Sequence, residues 1–201
     1  MNKICYNIAR RGDYMKLILA SNSPRRQELI KLLDMDYEAI SSDIEEVNDP
    51  SLSHEELVMD LAFQKALAIF KTHKEDIVLG FDTLVIIDDL ILGKPKNEEE
   101  ANNFLQILSG KTHKVLTGCA IIKKGYSKSF FTQSLVTFWD LSDQEITDYI
   151  KTKEPLDKAG AYGIQDHGAR FVKSISGDYF TIVGFPVSRV YQELKKVIHK
   201  G

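Results

Sequence analysis

Short apolar runs and amphipathic segments alternate along most of the chain. The apolar run 17–20 predicts a buried strand. Ser23 is a residue type that favours the N-cap, and Pro24 suits the first helical position. The pattern therefore predicts a strand that leads through a tight loop into a helix.

The same reasoning predicts the later elements. The first of them are a helix from the capping box of Ser53 and Glu56 to about Phe70 and a strand at 77–87 with a turn at Asp88 and Asp89. A helix at 98–108 capped by Asn97 and a hairpin of strands 114–122 and 130–139 follow. The last are a short helix capped by Ser142 and Glu145 and an amphipathic helix opened by Pro186. The glycine-rich segment 154–184 is predicted to be loop with short strands. This mixture indicates an α/β or α+β fold around a mixed sheet.

Composition is typical of a soluble globular protein. The 201 residues are 43% hydrophobic and 27% charged, and the length suits one domain or two closely joined lobes. A net charge of -3 without a long basic block argues against a general nucleic-acid binder. No apolar run approaches the roughly 20 residues that a membrane span needs. Neither nucleic acid nor a membrane is therefore an expected partner.

The cysteines and the first residues bear on location and domain limits. Cys5 and Cys119 have neither metal-ligand spacing nor a disulfide framework, which fits a reducing cytoplasm. Cys119 lies in an apolar run and is expected to be a core residue. Residues 1–14 look unlike the rest of the chain, and Met15 directly precedes the first strand. We expect residues 1–14 to be a disordered extension or the product of a misassigned start.

Two adjacent arginines occupy the first turn of the first helix. Arg25 and Arg26 stand at the positive end of the helix dipole, where acidic residues are normally favourable. They are either a solvated pair on an ordinary helix or part of a cradle for a phosphate group, together with backbone N–H groups and the hydroxyls of Ser21 and Ser23. This stretch alone leaves both interpretations open.

A carboxylate and a hydroxyl interrupt the apolar strand at 77–87. Asp82, followed by Thr83, either satisfies a neighbouring backbone N–H or belongs to a site, and an otherwise apolar strand favours the site. Lys94 lies on a loop close in sequence, where a single lysine is usually solvated. Lys65 is surrounded by apolar residues and either snorkels from the core or points into a cleft.

The segment 154–168 carries the densest chemical signal. Small residues around Tyr162 and Gln165 let the backbone approach a ligand closely, and the glutamine amide can donate to and accept from the edge of a nucleobase. The alternative is a tight turn with a surface glutamine, and residue types alone do not separate the two. His113 and His167 lack the spacing of a zinc site and are expected not to bind metal.

Seven stretches succeed one another along the chain: LASNSPRRQELI, the acid pair Glu45-Glu46, LAFQKA, FDTLVIIDDLILGKP, LSGKTHKVLTG, EPLDKAGAYGIQ and VGFP. Together they resemble the Maf-like nucleoside triphosphate pyrophosphatases, also called septum formation inhibitor proteins. Each stretch is weak by itself, but seven in family order are specific. The resemblance covers nearly all of the chain except residues 1–14.

The resemblance implies a fold and a reaction. The fold is α/β and elongated, with a central mixed sheet flanked by helices and a cleft between two lobes, related to the inosine triphosphate pyrophosphatases; residues 15–201 would form one domain. The reaction is hydrolysis of a nucleoside triphosphate between the α and β phosphates. The forms SPRRQEL and AGAYGIQ resemble the branch that acts on dTTP, UTP and some modified pyrimidine nucleotides. A homodimer is also implied, and the cytoplasmic location is expected from the composition.

The resemblance assigns roles to single residues. Asp82 matches the proton acceptor. The positions linked to base choice are Arg26, Thr83 and Gln165, and those on the phosphate side are Ser21, Arg25, Lys65 and Lys94. A divalent metal is implied, with Mg²⁺ expected and Mn²⁺ as the alternative, and our hypothesis is that Asp82 and Glu46 hold it together with phosphate oxygens.

Two positions depart from the family pattern. Phe81 stands before the Asp-Thr pair where the family commonly has alanine, and its bulk either narrows the cleft or packs behind the strand. Asp166 and His167 stand between Gln165 and Gly168, where the family commonly has glycine after the glutamine. An extra carboxylate beside the expected base pocket bears on which base is preferred.

A rival function uses the same phosphate site. A nucleotide-binding regulator of septum formation and cell division would sense pyrimidine triphosphates with little turnover. We favour the enzyme, because a sensor has no use for a general base at Asp82.

Overall fold

The computed structural model describes residues 9–10, 13–14 and 16–199. The strands are β1 Ala9–Arg10, β2 Asp13–Tyr14, β3 Leu17–Leu19, β4 Tyr37–Ala39, β5 Ile77–Ile87, β6 Leu90–Leu92, β7 Thr112–Lys123, β8 Tyr126–Phe138 and β9 Val172–Gly177. The helices are α1 Pro24–Ile30, α2 His54–Phe70, α3 Glu98–Leu108, α4 Asp143–Ile150, α5 Tyr179–Val183 and α6 Val187–His199. No helix in this part of the chain is both long and apolar enough to cross a membrane.

The fold is mixed α/β, as expected. A seven-stranded sheet has the order β4-β3-β5-β7-β8-β9, with β6 paired to β5. Strand β3 runs parallel to both β4 and β5, whereas β5–β6 and β8–β9 are antiparallel. Strands β1 and β2 form a separate antiparallel pair. Apart from those two short strands, the expectation about residues 1–14 lies outside the described residues.

Capping residues begin the helices where the sequence predicts. The Ser23 side chain accepts a hydrogen bond from the Arg26 backbone N–H, and Pro24 is the first residue of α1. Complete capping boxes open α2 at Ser53 and α4 at Ser142. These signals act within one turn, so the sequence alone is enough to place them.

The glycine-rich segment contains more structure than predicted. Short 3-10 turns occupy Glu154–Asp157, Ala159–Ala161 and His167–Phe171, and helix α5 follows β9. Helix α5 is too short for a hydrophobic period to appear in the sequence. It is begun instead by the carboxylate of Asp178, which accepts hydrogen bonds from the backbone N–H groups of Phe180 and Thr181.

The chain divides into two compact units. The first comprises residues up to 82, residues 117–131 and residues from 184 onward, and the second comprises 83–116 and 132–183. The core of the first unit includes the fully buried side chains of Ile18, Val78 and Ala120. Cys119 is also fully buried in the first unit, as expected of a core residue, and burial raises the pKa of its thiol.

Two glycines let helix α2 approach the sheet within the first unit. A Cβ atom at Gly80 of β5 would lie 2.2 Å from the carbonyl oxygen of Ala62, and one at Gly118 of β7 would lie 2.1 Å from the carbonyl oxygen of Val58. Real Cβ atoms do not come that close to a backbone oxygen. Only glycine at these two positions therefore permits the observed packing.

This packing determines which side chains meet. Gly80 and Asp82 are two residues apart on β5 and point to the same face of the sheet. Ala62 and Lys65 are three residues apart on α2 and share one face of the helix. Because Ala62 lies against Gly80, Lys65 is directed at Asp82.

An aromatic cluster lies in the core of the second unit. The rings of Phe138 and Tyr162 meet edge to face with centroids 4.8 Å apart, and Tyr149 meets Phe171 in the same way at 5.0 Å. His113 is 2% exposed, and its Nε2 lies 2.8 Å from the Tyr162 hydroxyl. Helices α3 and α4 contact each other in this unit.

We expect Gly80→Ala to lower the free energy of unfolding by about 1–3 kcal/mol, because the added methyl group forces α2 away from β5. Gly93→Ala is the matched control, since a Cβ atom there would meet no atom within 4 Å. Urea unfolding followed by circular dichroism measures both variants. Equal free energies of unfolding for the two would contradict the packing described here.

Candidate functional site

Lys65 joins two carboxylates in the first unit. Its Nζ lies 2.5 Å from Oδ1 of Asp82 and 2.9 Å from Oε1 of Glu46. The side chains of Lys65 and Asp82 are only 15% and 13% exposed, whereas that of Glu46 is 41% exposed. Lys65 is therefore an ion-paired side chain, and the carboxylate of Asp82 has an ammonium group as its partner.

Two opposing effects act on the proton affinity of Asp82. Burial raises the pKa of Asp82 above its ordinary value, and the positive charges of Lys65 and Arg26 oppose that rise. Burial is the larger effect, so the carboxylate holds a proton more firmly than an exposed aspartate does. A carboxylate with a raised pKa is a stronger base, which suits it to accept a proton.

Arg26 is anchored within the first unit. Its Nε donates to the carbonyl oxygen of Gly184 at 2.9 Å, and its Nη1 lies 3.4 Å from Oγ of Ser21. Burial lowers the pKa of Arg26, but the ordinary value is so high that the guanidinium stays charged at neutral pH. Arg25 is half-buried beside it, so the two arginines are not a fully solvated pair.

Phe81 packs inside the first unit. Its side chain is fully buried, and its ring centroid lies 4.6 Å from that of Phe185. The guanidinium carbon of Arg26 lies 5.7 Å from the same ring centroid. Of the two expectations for this residue, packing behind the strand is therefore the one observed.

The expected site residues fall into two groups. The first unit contains Ser21, Arg25, Arg26, Glu46, Lys65 and Asp82. Three of these residues carry charges that influence the protonation of Asp82: Lys65, Arg26 and Glu46. The second unit contains Thr83, Lys94 and Gln165. Thr83 is half-buried on β5, whereas Lys94 and Gln165 are exposed on loops.

The sequence interpretation missed Glu154 and Tyr149. The hydroxyl of Tyr149 donates to Oε1 of Glu154 at 2.7 Å, beneath the loop that carries Gln165. The sequence showed Glu154 only as an acidic residue at the start of a glycine-rich segment, and that position does not reveal which side chain it contacts. Tyr149 lies on α4 and has the sequence pattern of an ordinary core aromatic.

The carboxylates of the first unit fit a divalent cation only with help from a substrate. Among the described residues, no group of at least three His, Cys, Asp or Glu side chains is placed to hold a metal. Asp82 and Glu46 nevertheless direct oxygens at one point, since both contact the same Nζ atom. Mg²⁺ usually binds one or two carboxylates and completes its coordination with water and substrate phosphates. The donor set is therefore compatible with Mg²⁺ in the presence of a phosphate ligand.

Comparison of sequences identifies a family and close relatives. Residues 16–197 match the family described as Maf-like protein. The dTTP/UTP pyrophosphatase of Bacillus cytotoxicus is 52% identical over 181 residues, which cover 90% of this chain and 95% of that protein. The dTTP/UTP pyrophosphatase of Bacillus cereus is 50% identical over 194 residues, which cover 96% of each chain.

Comparison of structures relates the fold to a second group. The Ham1 protein of Staphylococcus aureus superposes with a TM-score of 0.54, and the match covers 90% of this chain and 98% of that one. Its sequence is only 14% identical, so the likeness concerns the fold alone.

We expect Lys65→Met to raise the pKa of Asp82 further, because the principal opposing charge is lost while burial remains. Carboxyl carbon NMR over a pH series measures this value. Lys74→Met, an exposed lysine in the same unit, should leave it unchanged.

Lys65→Met should also change how the free energy of unfolding depends on pH. A carboxylate whose pKa is higher in the folded state than in the unfolded state loses stability as pH rises through the interval between the two values. The free energy of unfolding of Lys65→Met should therefore fall more steeply than that of the wild type as pH rises from about 4. Parallel curves for the two proteins would contradict the ion pair.

Proposed function

The chain belongs to the Maf-like protein family, and from this premise we propose that it hydrolyses dTTP and UTP to the nucleoside monophosphate and pyrophosphate. The observation that carries the proposal is the contact of Lys65 with both Asp82 and Glu46 beside Arg26. Two carboxylates and two cationic groups lie in the same unit, which supports the proposal. The names of the relatives in two Bacillus species support the choice of substrates.

Cationic and hydroxyl groups bind the triphosphate. Arg25 and Arg26 supply guanidinium groups, which suit phosphate oxygens because they donate in pairs. The Ser21 hydroxyl already lies beside Arg26 and adds a polar contact. Lys65 and Lys94 contribute ammonium charges on the phosphate side. Together these groups stabilise the negative charge that develops on the departing pyrophosphate.

Asp82 acts as the general base. Its carboxylate accepts a proton from the water that attacks phosphorus, and burial strengthens it for this step. Lys65 holds the carboxylate in one orientation through its contact at 2.5 Å. Glu46 shares the same ammonium group and keeps a second carboxylate next to the base.

Asp82 and Glu46 would hold Mg²⁺ together with substrate oxygens, and Mn²⁺ is the alternative. When bound, such an ion neutralises phosphate charge and makes a coordinated water more acidic.

The base of the nucleotide is contacted by Thr83 and Gln165, with a contribution from Arg26. Gln165 offers an amide that matches the donor and acceptor groups of a pyrimidine edge.

The family resemblance extends the proposal to the setting of the enzyme. We expect residues 15–201 to act as one domain in a homodimer in the cytoplasm, with a role in nucleotide-pool cleaning or in septum formation. Modified pyrimidine nucleotides are further expected substrates. Light scattering on the purified protein tests the dimer directly.

Asp82→Asn should abolish turnover while nucleotide binding stays measurable, because the amide keeps the shape of the side chain but cannot accept the proton. Pyrophosphate release from dTTP, UTP, CTP, GTP and 7-methyl-GTP with Mg²⁺ is the measurement, and calorimetry reports binding. Asp36→Asn, an exposed aspartate of the same unit, is the control.

The result separates the enzyme from its rival. Rapid release from dTTP and UTP that disappears only in Asp82→Asn supports the enzyme and the role of its base. Tight binding of the same nucleotides without turnover by the wild type would identify a sensor. Unchanged turnover in Asp82→Asn would overturn the role given to this residue.

Arg26→Ala should lower kcat/KM for UTP by about 10- to 100-fold, since a charge-assisted contact to phosphate contributes on the order of 1.5–3 kcal/mol. Steady-state kinetics with UTP measures the effect. Lys31→Ala removes an exposed cation just after the same helix and should have little effect. Wild-type efficiency in Arg26→Ala would refute the assignment.

A further inference from the structure

A nearly buried carboxylate of the second unit holds one end of the loop that carries Gln165. The Glu154 side chain is 9% exposed. Its Oε2 accepts from the backbone N–H of His167 at 3.1 Å and lies 3.0 Å from Nδ1 of the same residue. Its Oε1 accepts a longer hydrogen bond from the Gly168 N–H at 3.4 Å. One carboxylate thus binds two successive residues just after the glutamine.

Tyr149 extends this contact to the other end of the loop. Its fully buried hydroxyl donates to Glu154 and accepts from the backbone N–H of Gly163 at 3.1 Å. A Cβ atom at Gly168 would lie 2.7 Å from the carbonyl oxygen of Gly163, so the two glycines lie directly against each other. We call residues 163–168 the glutamine loop; its two ends are joined by the Glu154–Tyr149 pair.

The protonation states of Glu154 and Tyr149 favour a strong hydrogen bond between them. Burial alone would raise the pKa of Glu154, but hydrogen bonds from Tyr149, His167 and Gly168 outweigh it and hold the pKa below its ordinary value. Burial and the hydrogen bond to Glu154 raise the pKa of Tyr149, so its hydroxyl stays protonated. An ionised acceptor and a neutral donor form a strong hydrogen bond.

The closed ends restrict the residues between them. Only residues 164–167 separate the two glycines, and a short loop with joined ends has few backbone conformations. Gln165 is exposed within this loop. The backbone from which its side chain extends is therefore held by groups that are buried beneath the loop.

We propose that Glu154 is a positioning residue for base selection: acting with Tyr149, it fixes the glutamine loop so that Gln165 presents its amide to the nucleobase in one orientation. This inference rests on the proposed function, because it takes Gln165 as a base contact. Glu154 has no direct part in the chemical step at phosphorus.

The first test measures the loop without activity. Glu154→Gln keeps the shape of the side chain but turns one acceptor into a donor that faces the donors of the loop. We expect faster amide hydrogen exchange at Gly163, His167 and Gly168 in this variant. Glu99→Gln replaces an exposed glutamate of the same unit and should leave these rates unchanged. Unchanged exchange in Glu154→Gln would overturn the inference whether or not the protein is an enzyme.

The second test measures selection. In Glu154→Gln, we expect the ratio of kcat/KM for UTP to that for CTP to fall about tenfold, through a higher KM for UTP, while kcat for UTP changes by less than about twofold. A purely structural role would lower the melting temperature without moving this ratio at a temperature where the protein is fully folded. Tyr149→Phe removes one hydroxyl and should change the ratio in the same direction, which keeps the test decisive if Glu154→Gln does not fold.

The outcomes distinguish the two proposals. A selective wild type whose selectivity survives in Glu154→Gln and Tyr149→Phe would overturn the positioning role alone. A wild type that hydrolyses neither dTTP nor UTP would overturn the proposed function, and with it the link of this loop to base selection. Loss of selectivity in both variants, with selectivity retained in Glu99→Gln, supports the inference.

Discussion

The close approach of helix α2 to strand β5 is the constraint on which the candidate site depends. Gly80 has no side chain, so the backbone of Ala62 lies directly against the strand. One turn later on the helix and two residues later on the strand, the same contact brings Lys65 to Asp82. A buried carboxylate that has neither a cationic partner nor hydrogen-bond donors is strongly destabilising. The glycine therefore makes it possible to place an ion-paired carboxylate inside an apolar strand.

The charges of the first unit compensate one another. Arg26 and Lys65 are positive, Glu46 and Asp82 are negative, and the contacts of Lys65 link the two acids. Burial pushes the pKa of Asp82 upward while its cationic neighbours push it downward. The protonation of Asp82 therefore depends on the charges that surround it.

In the second unit, hydrogen-bond donors and not an ammonium group stabilise a nearly buried carboxylate. Glu154 also lies almost out of contact with solvent, but its partners are backbone N–H groups, a hydroxyl and an imidazole. These hydrogen bonds stabilise the ionised carboxylate and at the same time restrict the shape of a loop. In the first unit the nearly buried acid pairs with an ammonium group, whereas here a nearly buried acid binds backbone N–H groups of a loop.

The sequence pointed to individual candidate residues, but it did not show which side chains they contact. Asp82 stood out because it interrupts an apolar strand, and Lys65 because apolar residues surround it. Neither pattern shows that the two meet, since the contact joins a helix to a strand 17 residues further along the chain. Phe81 illustrates the same limit: its bulk was visible in the sequence, but the ring of Phe185 that covers it was not.

The sequence by itself determined most of the secondary structure outside the segment 154–184 and, through seven ordered motifs, the family. Caps such as Ser23 and Ser53 and the hydrophobic periods act over a few residues, so they can be recognised without the fold. Only the tertiary structure decided that Arg26 is anchored by the carbonyl of Gly184, 158 residues away, and that Glu154 closes the glutamine loop. Such contacts depend on where the backbone packs, and no local pattern encodes the distance between segments that are remote in the chain.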